Sequence, residues 1–487
     1  MKKNYLFLLF LFIHVIGWTL LPALIRYNLP LDAMEGTTWG HQLEWGYDKN
    51  PFLNAWLTNL ATHLGGSGMV YFFSQLSVAA CFIAVYQLGK KMLSPVYALV
   101  AVMLLEGLQY FNFHAIDFDD NVLELGLWGL TIYFFYRALC IQRTRAWILT
   151  GFFAALGVMA KYYTFALIGS LAIFFLIDRG ARAQLKTRTP YWGLLTFLIL
   201  ITPHTLWLFH HQFITVTYVF QRTHATPNWL NHIYFPAQFA WQQLEVFLPA
   251  LIIYLLLWIR SSKSLEPVSS FNKKFIFIAA FMPLLLTLLL SLLTGARLRA
   301  GWGMPLLSFW PLALLVFAKP TLTKTKLVSF ITGIYLLLIT LLTGYYFSIV
   351  DSTTESTANF PGKEIAHTLT MKWRDAFHTQ LKFVAGSRWL GGNIAFYSPE
   401  HPAVFMEWNK ARSPWIHDAA LIKNGAIFIW DINAKETLPP EVKAQFPQLQ
   451  PEFMMEFSYL RNKHHIPPIK IGVAFLPPEL DVIPKKI

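Results

Sequence analysis

The chain is dominated by long apolar runs that are separated by short polar segments. A helix needs about 20 mostly apolar residues to cross a bilayer, with a range of about 17–25. Such stretches lie near residues 5–25, 68–88, 93–111, 121–139, 191–210, 236–258, 274–294, 301–318 and 327–350. The stretch 146–178 is about twice as long, and polar residues at 161–164 divide it into two short helices. The pattern predicts a polytopic α-helical membrane protein with about eleven transmembrane helices.

The end of the chain has a different pattern, because it is less apolar and rich in proline. Short strand-like runs occur at 394–397, 426–430 and 471–475, and helical stretches such as 363–379 lie between them. This predicts a small C-terminal α/β domain at 351–487, after a transmembrane domain at 1–350. The longest polar loop of that transmembrane domain is 26–67.

The basic residues orient the predicted helices, since cytoplasmic loops are enriched in Lys and Arg. With the N-terminus inside, seventeen basic residues fall in cytoplasmic loops, and six fall outside before the tail. The outer six are Arg26, Lys49, Lys161, Arg222, Arg297 and Arg299. An odd number of spans then places the C-terminal domain outside the cytoplasmic membrane.

The amino-acid composition supports the membrane assignment, and the placement of the charges argues against nucleic acid as a partner. Hydrophobic residues make up 55% of the chain and charged residues only 13%, whereas soluble proteins carry about 25% charged residues. The net charge of +13 could suggest nucleic acid. The charges sit in short loops between apolar runs, however, so we expect membrane lipids and no nucleic acid as partners.

The outer loop 26–67 carries the first candidate chemistry. Asp32 and Glu35 are three residues apart and would share a face of a helix that starts at Leu31. A second amphipathic stretch begins at Pro51, which suits the first turn of a helix. Two such helices lying along the membrane surface would carry these carboxylates to the edge of the bilayer. The alternative is that Asp32 is an N-cap followed by an ordinary solvated face.

A second acidic set precedes the membrane segment 121–139. It consists of Asp117, Asp119 and Asp120. Carboxylates at this position favour the helix N-terminus electrostatically, which is the structural interpretation. Their spacing could also hold a divalent cation, although we assign no metal ligands. Glu106, inside the third apolar segment, is interpreted as a polar contact in the interior of the bundle.

Isolated cations at the outer boundary form the third set. Lys49, Lys161, Arg297 and Arg299 lie on the side that is otherwise poor in positive charge. An ionisable group beside a membrane helix is a functional hypothesis by default, and fixed cations at this depth would suit a phosphate at headgroup level. The alternative is that each of them anchors a lipid headgroup.

Several short motifs occur in a fixed order on the predicted outer side. They are Asp32 to Glu35, residues 47–51 (Tyr-Asp-Lys-Asn-Pro), Asp120-Asn121, residues 157–163 around Lys161, and residues 295–305 with Arg297, Arg299 and Trp302. Together they resemble membrane glycosyltransferases of the GT-C architecture, in the protein mannosyltransferase-like family. The likeness is to its aminoarabinose lipid A transferase and lipopolysaccharide galacturonate transferase branch, and it covers roughly residues 10–310.

The resemblance implies an inverting transferase in a bacterial inner membrane, with its C-terminal domain in the periplasm. It would move a sugar from a polyprenyl-phosphate donor to a glycan, lipid or protein acceptor, and no cofactor beyond a possible divalent cation is implied. Asp32 would be the general base. Glu35, Asp48, Asp117, Asp119 and Asp120 would position substrate, while Lys49, Lys161, Arg297 and Arg299 would hold the lipid phosphate.

Three other functions remain open from the sequence. The chain could be a transporter or flippase of a lipid-linked sugar, although charges at the midplane of several helices would then be expected. It could instead be an O-antigen ligase or polymerase. The third alternative is a non-catalytic scaffold whose tail binds a partner, and such a scaffold would tolerate Asp32→Asn.

Overall fold

The computed structural model describes residues 2–223, 228–434, 436–461 and 465–479. The chain forms two compact units. The membrane unit comprises Met1–Pro22, Lys49–Asn54 and Gly68–Tyr345, and the tail unit comprises Ala23–Asp48, Ala55–Ser67 and Tyr346–Ile487. Most of the predicted outer loop therefore belongs to the same unit as the tail. The division of the chain at residue 350 stays a prediction.

The membrane unit is helical. Its α-helices, three of which extend into the tail unit, are Lys2–Ile25, Leu53–Met92, Pro95–Leu104, Asp120–Ile141, Thr144–Ala160, Thr164–Ile177, Arg179–Gln184, Thr189–His210, Ile214–Thr223, Asn231–Leu256, Ser270–Thr294, Trp310–Phe317 and Lys324–Val350. Short 3₁₀ helices occur at Leu105–Gly107, Gln109–Phe111, His114–Ile116 and Ala300–Leu307.

Each apolar segment predicted from the sequence is helical. Within the described residues, seven helices are long and apolar enough to cross a membrane, or up to nine if each of two bent pairs is one span. The other two predicted segments are the helices on either side of Lys161, with 17 and 14 residues. At 1.5 Å per residue even the longer measures about 26 Å, less than the ~30 Å hydrocarbon core. The polytopic architecture is confirmed.

One bent pair contains a buried polar contact. Pro95–Gly107 and Gln109–Ile116 meet at an angle of 90°, and Glu106 lies next to this break. Its Oε2 is 2.6 Å from Nδ1 of His14, and neither side chain is exposed. An unpaired carboxylate would be costly in this apolar interior. The interior polar contact predicted for Glu106 is confirmed.

The helix Leu53–Met92 is interrupted near its first third. Its 40 residues would span about 60 Å, twice the thickness of a bilayer core. The backbone leaves the helical conformation at Gly65 and Gly66, and Gly66 has φ +64°, a value that favours glycine. The part that follows covers the predicted span 68–88. From Ala55 onward, the part that precedes the break belongs to the tail unit.

The tail unit contains a five-stranded mixed sheet with strand order β2-β1-β3-β5-β4. The strands are β1 Phe383–Gly386, β2 Ala403–Met406, β3 Ala426–Asp431, β4 Phe453–Phe457 and β5 Ile469–Leu476. β1 pairs in parallel with β2 and β3, whereas β5 pairs antiparallel with β3 and β4. The core beside the sheet is aromatic and includes Phe405, Phe428, Trp430 and Phe446.

Helices complete the tail unit. They are Leu31–Gly40, the first part of Leu53–Met92, Gly362–Phe377, Arg388–Tyr397, Asp418–Asn424 and Pro440–Gln445, with 3₁₀ turns at Thr357–Asn359 and Lys410–Arg412. The predicted small α/β domain is confirmed, as are its strands near 426–430 and 471–475. The strand predicted at 394–397 is wrong. That run ends the helix Arg388–Tyr397, which Ser387 caps by accepting a hydrogen bond from the Leu390 amide.

The helix Leu31–Gly40 packs closely on two others. A Cβ at Gly36 would lie 2.9 Å from Oγ1 of Thr58, and a Cβ at Gly40 would overlap the Ala55 carbonyl. On another helix, a Cβ at Gly392 would lie 2.5 Å from Oγ1 of Thr38. Every residue from Ala33 to Gly40 is buried. The expected amphipathic helix with a solvated or lipid-facing side is therefore wrong for this segment.

Candidate functional site

A buried lysine organises the candidate site of the membrane unit. Nζ of Lys161 lies 2.8 Å from Oδ2 of Asp120 and donates a hydrogen bond of 2.5 Å to Oδ1 of Asn121. It also lies 5.6 Å from the centre of the Trp302 ring, within range of a cation–π interaction. The Lys161 and Asp120 side chains are only 15% and 10% exposed. We call Lys161, Asp120, Asn121, Trp302 and the neighbouring Glu124 the lysine cluster.

Local chain geometry explains why these groups meet. Lys161 is the C-cap of the helix Thr144–Ala160, in the short break before the helix that starts at Thr164. Asp119 is the N-cap of the helix Asp120–Ile141 and accepts the amide hydrogen of Val122 at 2.8 Å. The structural interpretation of the acidic set thus holds for Asp119, which caps the helix. Asp120 forms an ion pair with Lys161, so these two members of the set differ in role.

Glu124 was assigned no role from the sequence, although it is a fully buried member of this cluster. Its Oε1 accepts hydrogen bonds from Oγ1 of Thr164 at 2.8 Å and from Nε1 of Trp128 at 3.3 Å. Its Oε2 has no hydrogen-bond partner. The four-residue spacing from Asp120 places both carboxylates on one helix face, and this spacing is the signal that could have found Glu124.

The other predicted residues of the membrane unit lie at the ends of its segments. Lys49 is half-buried and begins Lys49–Asn54, whose Asn54 donates to the Phe118 carbonyl at 3.2 Å. This hydrogen bond ties the segment to the turn that holds Asp117 and Asp119. Arg297 and Arg299 are exposed, and Arg299 directly precedes the 3₁₀ helix that carries Trp302.

A second cation organises the tail unit. Nη1 of Arg388 lies 2.5 Å from Oε1 of Glu35, and Nη2 donates to Oδ2 of Asp48. The guanidinium also lies 5.4 Å from the centre of the Trp39 ring. Nε of Arg412 is 3.7 Å from the same oxygen of Asp48. We call these five residues the arginine cluster.

The arginine cluster is buried and strongly coupled. Arg388 is 16% exposed, and Glu35 and Asp48 are 8% and 4% exposed. Burial by itself lowers the pKa of the Arg388 guanidinium, but the charges of Glu35 and Asp48 more than offset it and raise the pKa above its usual value. Arg388 therefore stays charged. The planar guanidinium suits two carboxylates at once.

The first outer loop differs from its prediction in detail. Asp32 lies in the first turn of the helix Leu31–Gly40 and is half-buried, but the N-cap is Pro30. The N-cap interpretation of Asp32 is therefore wrong. Glu35 does not lie on a solvated face, since it is held by Arg388. Arg388 was not predicted as a partner of Glu35, because 353 positions separate the two residues in the sequence.

The predicted site residues are distributed over the two units, and the predicted cations all belong to one of them. The four predicted phosphate-binding cations and the acidic set 117–120 are in the membrane unit, whereas Asp32, Glu35 and Asp48 are in the tail unit. In the part of the chain that the structure describes, no three His, Cys, Asp or Glu side chains are grouped to hold a metal ion. A need for a divalent cation stays a prediction.

The apolar helices and the small mixed sheet define the class of fold. The chain is a multi-pass α-helical membrane protein with a GT-C-like fold and a small α/β domain. Residues 49–207 match the family described as dolichyl-phosphate-mannose-protein mannosyltransferase, so the resemblance to the protein mannosyltransferase-like family is confirmed. A comparison with curated proteins finds no match.

Two solved structures share the fold over nearly the whole chain. The first is ArnT from Cupriavidus metallidurans bound to undecaprenyl phosphate, with a TM-score of 0.66 and 13% identity. The similarity covers 96% of this chain and 97% of that one. The second is the same protein in the apo state, with a TM-score of 0.63 and 13% identity over 97% and 98% of the two chains. At this identity the likeness establishes the fold.

Proposed function

We propose that this chain is an inverting glycosyltransferase that transfers a sugar from a polyprenyl-phosphate donor to an acceptor outside the cytoplasmic membrane of a bacterium. The observation that carries the proposal is the fold likeness, over 96% of the chain, to an ArnT structure that holds undecaprenyl phosphate. The family match at 49–207 supports it, because that range includes Lys49, Asp120 and Lys161. The N-terminus would be cytoplasmic and the tail unit periplasmic.

The reaction would be a single displacement at the anomeric carbon. Asp32 takes the proton of the acceptor hydroxyl as the new carbon–oxygen bond forms on one face of the sugar. The bond to the phosphate oxygen breaks on the other face, and polyprenyl phosphate leaves with the bonding electrons. A positioned general base contributes typically ~10²–10⁴-fold to such a step. Asp32 is half-buried at the start of a helix, which restricts its side chain.

The cations of the membrane unit would stabilise the leaving phosphate. Negative charge grows on this group during the displacement, so fixed cations stabilise the transition state more than the ground state. Lys161 is held by Asp120 and Asn121 before any substrate binds, which spares reorganisation during the reaction. Lys49, Arg297 and Arg299 would add charge around the same phosphate. Asp117, Asp119 and Asp120 would keep the cations and the substrate in position.

In the tail unit, Glu35 and Asp48 would act indirectly. Both are held by Arg388, so neither is placed to take a proton from substrate. We assign them to holding the helix that carries Asp32 and the segment that ends at Asp48. The acceptor would be lipid A or another glycan, a lipid or a protein.

The first test is bound lipid. The protein is purified in nanodiscs and examined by native mass spectrometry as wild type, as Asp32→Asn and as the matched control Asp375→Asn, an exposed aspartate of the tail unit. We expect a polyprenyl-phosphate sugar to be enriched in Asp32→Asn alone, because binding persists while transfer stops. Bulk phospholipid alone in all three preparations would contradict the donor class.

The second test is turnover. Conversion of polyprenyl-phosphate sugar to polyprenyl phosphate is followed by mass spectrometry in membranes that contain each variant. We expect a loss of about 10²–10⁴-fold for Asp32→Asn and none for Asp375→Asn. Equal conversion by both variants would exclude Asp32 as the base. This result would favour the transporter and scaffold alternatives over the enzyme function.

A further inference from the structure

The tail unit contains a cavity of about 190 Å³. It is lined by the end of the helix Leu31–Gly40 and the residues after it, by the part of the helix Leu53–Met92 that precedes its break, and by residues 395–404. Since one water occupies about 30 Å³, the cavity has room for roughly six waters. This is the scale of a single sugar ring.

Three histidines line this cavity, namely His41, His63 and His401. Nδ1 of His63 is 2.8 Å from the Asn59 carbonyl oxygen, and Nδ1 of His401 is 3.0 Å from the Ala395 carbonyl oxygen. A carbonyl oxygen can only accept, so both Nδ1 atoms carry the hydrogen. In the neutral rings, Nε2 is then a hydrogen-bond acceptor.

Two threonines of the lining, Thr38 and Thr62, also present hydrogen-bond acceptors to the cavity. Thr38 donates its hydroxyl hydrogen to the Met34 carbonyl at 3.0 Å, and Thr62 donates to the Asn59 carbonyl at 2.7 Å. Their oxygens keep lone pairs for a ligand. The cavity therefore offers acceptors at these histidines and threonines. Beside them are the side-chain amides of Gln42 and Asn59, which can donate and accept, and the half-buried ring of Phe396 as an apolar surface.

The lining carries no fixed charge. Among the described residues that line it there is no Asp, Glu, Lys or Arg, and the three histidines are the titratable groups. Burial lowers the pKa of His41, and the charges that His401 and His63 would carry lower it further. Both effects favour the neutral form of His41. An anion would need fixed cations here and a cation would need carboxylates, so the complementary ligand is neutral and rich in hydroxyl donors.

We propose that this cavity binds one neutral sugar residue of a glycan acceptor, with sugar hydroxyls donating to the imidazole and threonine acceptors. This inference rests on the proposed glycosyltransferase function and narrows its acceptor to a glycan. His41 follows Asp32 by nine residues, which corresponds to about 14 Å along the helix. The bound sugar is therefore a different residue of the glycan from the one that reacts.

The experiment is saturation-transfer NMR on the full-length protein in nanodiscs. The probes are methyl β-glucoside, methyl α-mannoside and N-acetylglucosamine, with glucuronate and glucose 6-phosphate as charged counterparts. At pH 7.5 we expect saturation of at least one neutral probe and of neither charged probe.

Variants locate the binding. His401→Leu should weaken it by roughly two- to tenfold, the effect of one lost hydrogen bond, and Thr62→Val should act similarly. The matched control His367→Leu, at an exposed helix position away from the cavity, should bind as the wild type does. No signal from any neutral probe, an equal signal in His401→Leu and His367→Leu, or stronger binding of the charged probes would overturn the proposal.

The same preparations keep this proposal separate from the enzyme function. Neutral sugar binding that persists in Asp32→Asn, where conversion of the donor lipid stops, supports both. Conversion of the donor lipid without any neutral sugar binding would refute the cavity proposal alone. Sugar binding at His401 combined with an active Asp32→Asn variant would refute the catalytic role and leave the sugar site standing.

Discussion

The lysine cluster and the arginine cluster each hold one buried cation between polar oxygens, but they are built differently. Lys161 lies in the break between two short helices. It contacts Asp120 and Asn121, which begin another helix about 40 residues earlier in the sequence. Arg388 meets Glu35 and Asp48 from the opposite end of the tail unit's sequence. Lysine is a compact point charge, whereas the planar arginine fork binds one carboxylate with each terminal nitrogen.

We infer from this difference that Lys161 contributes to the transfer reaction, whereas Arg388 contributes to the stability of the tail unit. The two carboxylates at Arg388 satisfy its charge, so it has a structural task, and its loss should affect stability. Lys161 contacts one carboxylate and one neutral amide, so the third N–H of its ammonium group is left to donate to a phosphate oxygen. Its loss should affect transfer. The following predictions test this comparison, beginning with the largest effect.

The largest effect is expected for Arg388→Met. It leaves buried Glu35 without Arg388, and Asp48 keeps only the more distant Arg412, at 3.7 Å. Breaking a buried ion pair costs about 3–5 kcal/mol. We expect the thermal unfolding temperature in nanodiscs to fall sharply and the tail unit to become sensitive to protease. The control Lys372→Met, at an exposed position, should behave as the wild type does.

Removal of the carboxylate charges sharpens this prediction. Arg388→Met combined with Glu35→Gln and Asp48→Asn should recover most of the lost stability, because no buried charge is then left unpaired. Arg388→Lys should recover only part, since an ammonium cannot bind both carboxylates in the geometry of a guanidinium. Equal unfolding temperatures of Arg388→Met and Lys372→Met would refute the proposal that Arg388 stabilises the tail unit.

The next effect is expected for Lys161→Met. Loss of one fixed charge that stabilises a transition state typically costs about 10²–10³-fold in rate. We expect this loss in the conversion of donor lipid, with Lys372→Met unchanged. Addition of Asp120→Asn should not restore conversion, because the positive charge itself is needed. Restoration by Asp120→Asn would make the lysine cluster structural and remove the contrast with Arg388.

A smaller effect is expected for Gly40→Ala. The new methyl group would overlap the Ala55 carbonyl, and overpacking of this kind costs about 1–3 kcal/mol. The matched control is Gly344→Ala in the helix Lys324–Val350, where no atom lies within 4 Å of the added carbon. Alanine also favours a helix over glycine by roughly 0.5–1 kcal/mol. We expect opposite shifts in unfolding temperature, and a tolerated Gly40→Ala would contradict the close packing of these helices.

The smallest effect is expected for Lys410→Met. Lys410 pairs with Asp418 as Arg388 pairs with Asp48, but these side chains are 54% and 40% exposed. Water and salt screen such a pair, which contributes about 0–1 kcal/mol. Unfolding temperatures of Lys410→Met and wild type should agree closely. A loss comparable with that of Arg388→Met would show that burial is not what separates the two pairs.

Most of the membrane architecture could be predicted from the sequence, because hydropathy is a local property. The apolar segments, the interior position of Glu106 and the lysine-containing break between two short helices are all visible in short windows. The tail was predicted less well. The run 394–397 is too short to distinguish a strand from the end of a helix by periodicity alone, and the cap at Ser387 decided it.

Several residues of the candidate site were predicted from the sequence, but the ion pairs that they form were not. Lys161 and Asp120 are both visible as charges at the ends of apolar segments, although their ion pair is not. Arg388 could not be found, since no local pattern links it to residues 353 and 340 positions earlier. Glu124 was within reach, because it follows Asp120 by one helical turn. The histidine-lined cavity depends on three separate segments and was beyond sequence reasoning.

The discontinuity of the tail unit also has a consequence for biosynthesis. Asp48 leaves the ribosome 340 residues before Arg388, an interval of roughly 20–70 s at ordinary elongation rates. During this time the loop that carries Asp32, Glu35 and Asp48 lacks the cation that allows its carboxylates to be buried. A nascent chain that stalls before residue 388 should therefore expose this loop to proteases and chaperones, so that a segment made 340 residues after Asp48 decides when this loop can fold.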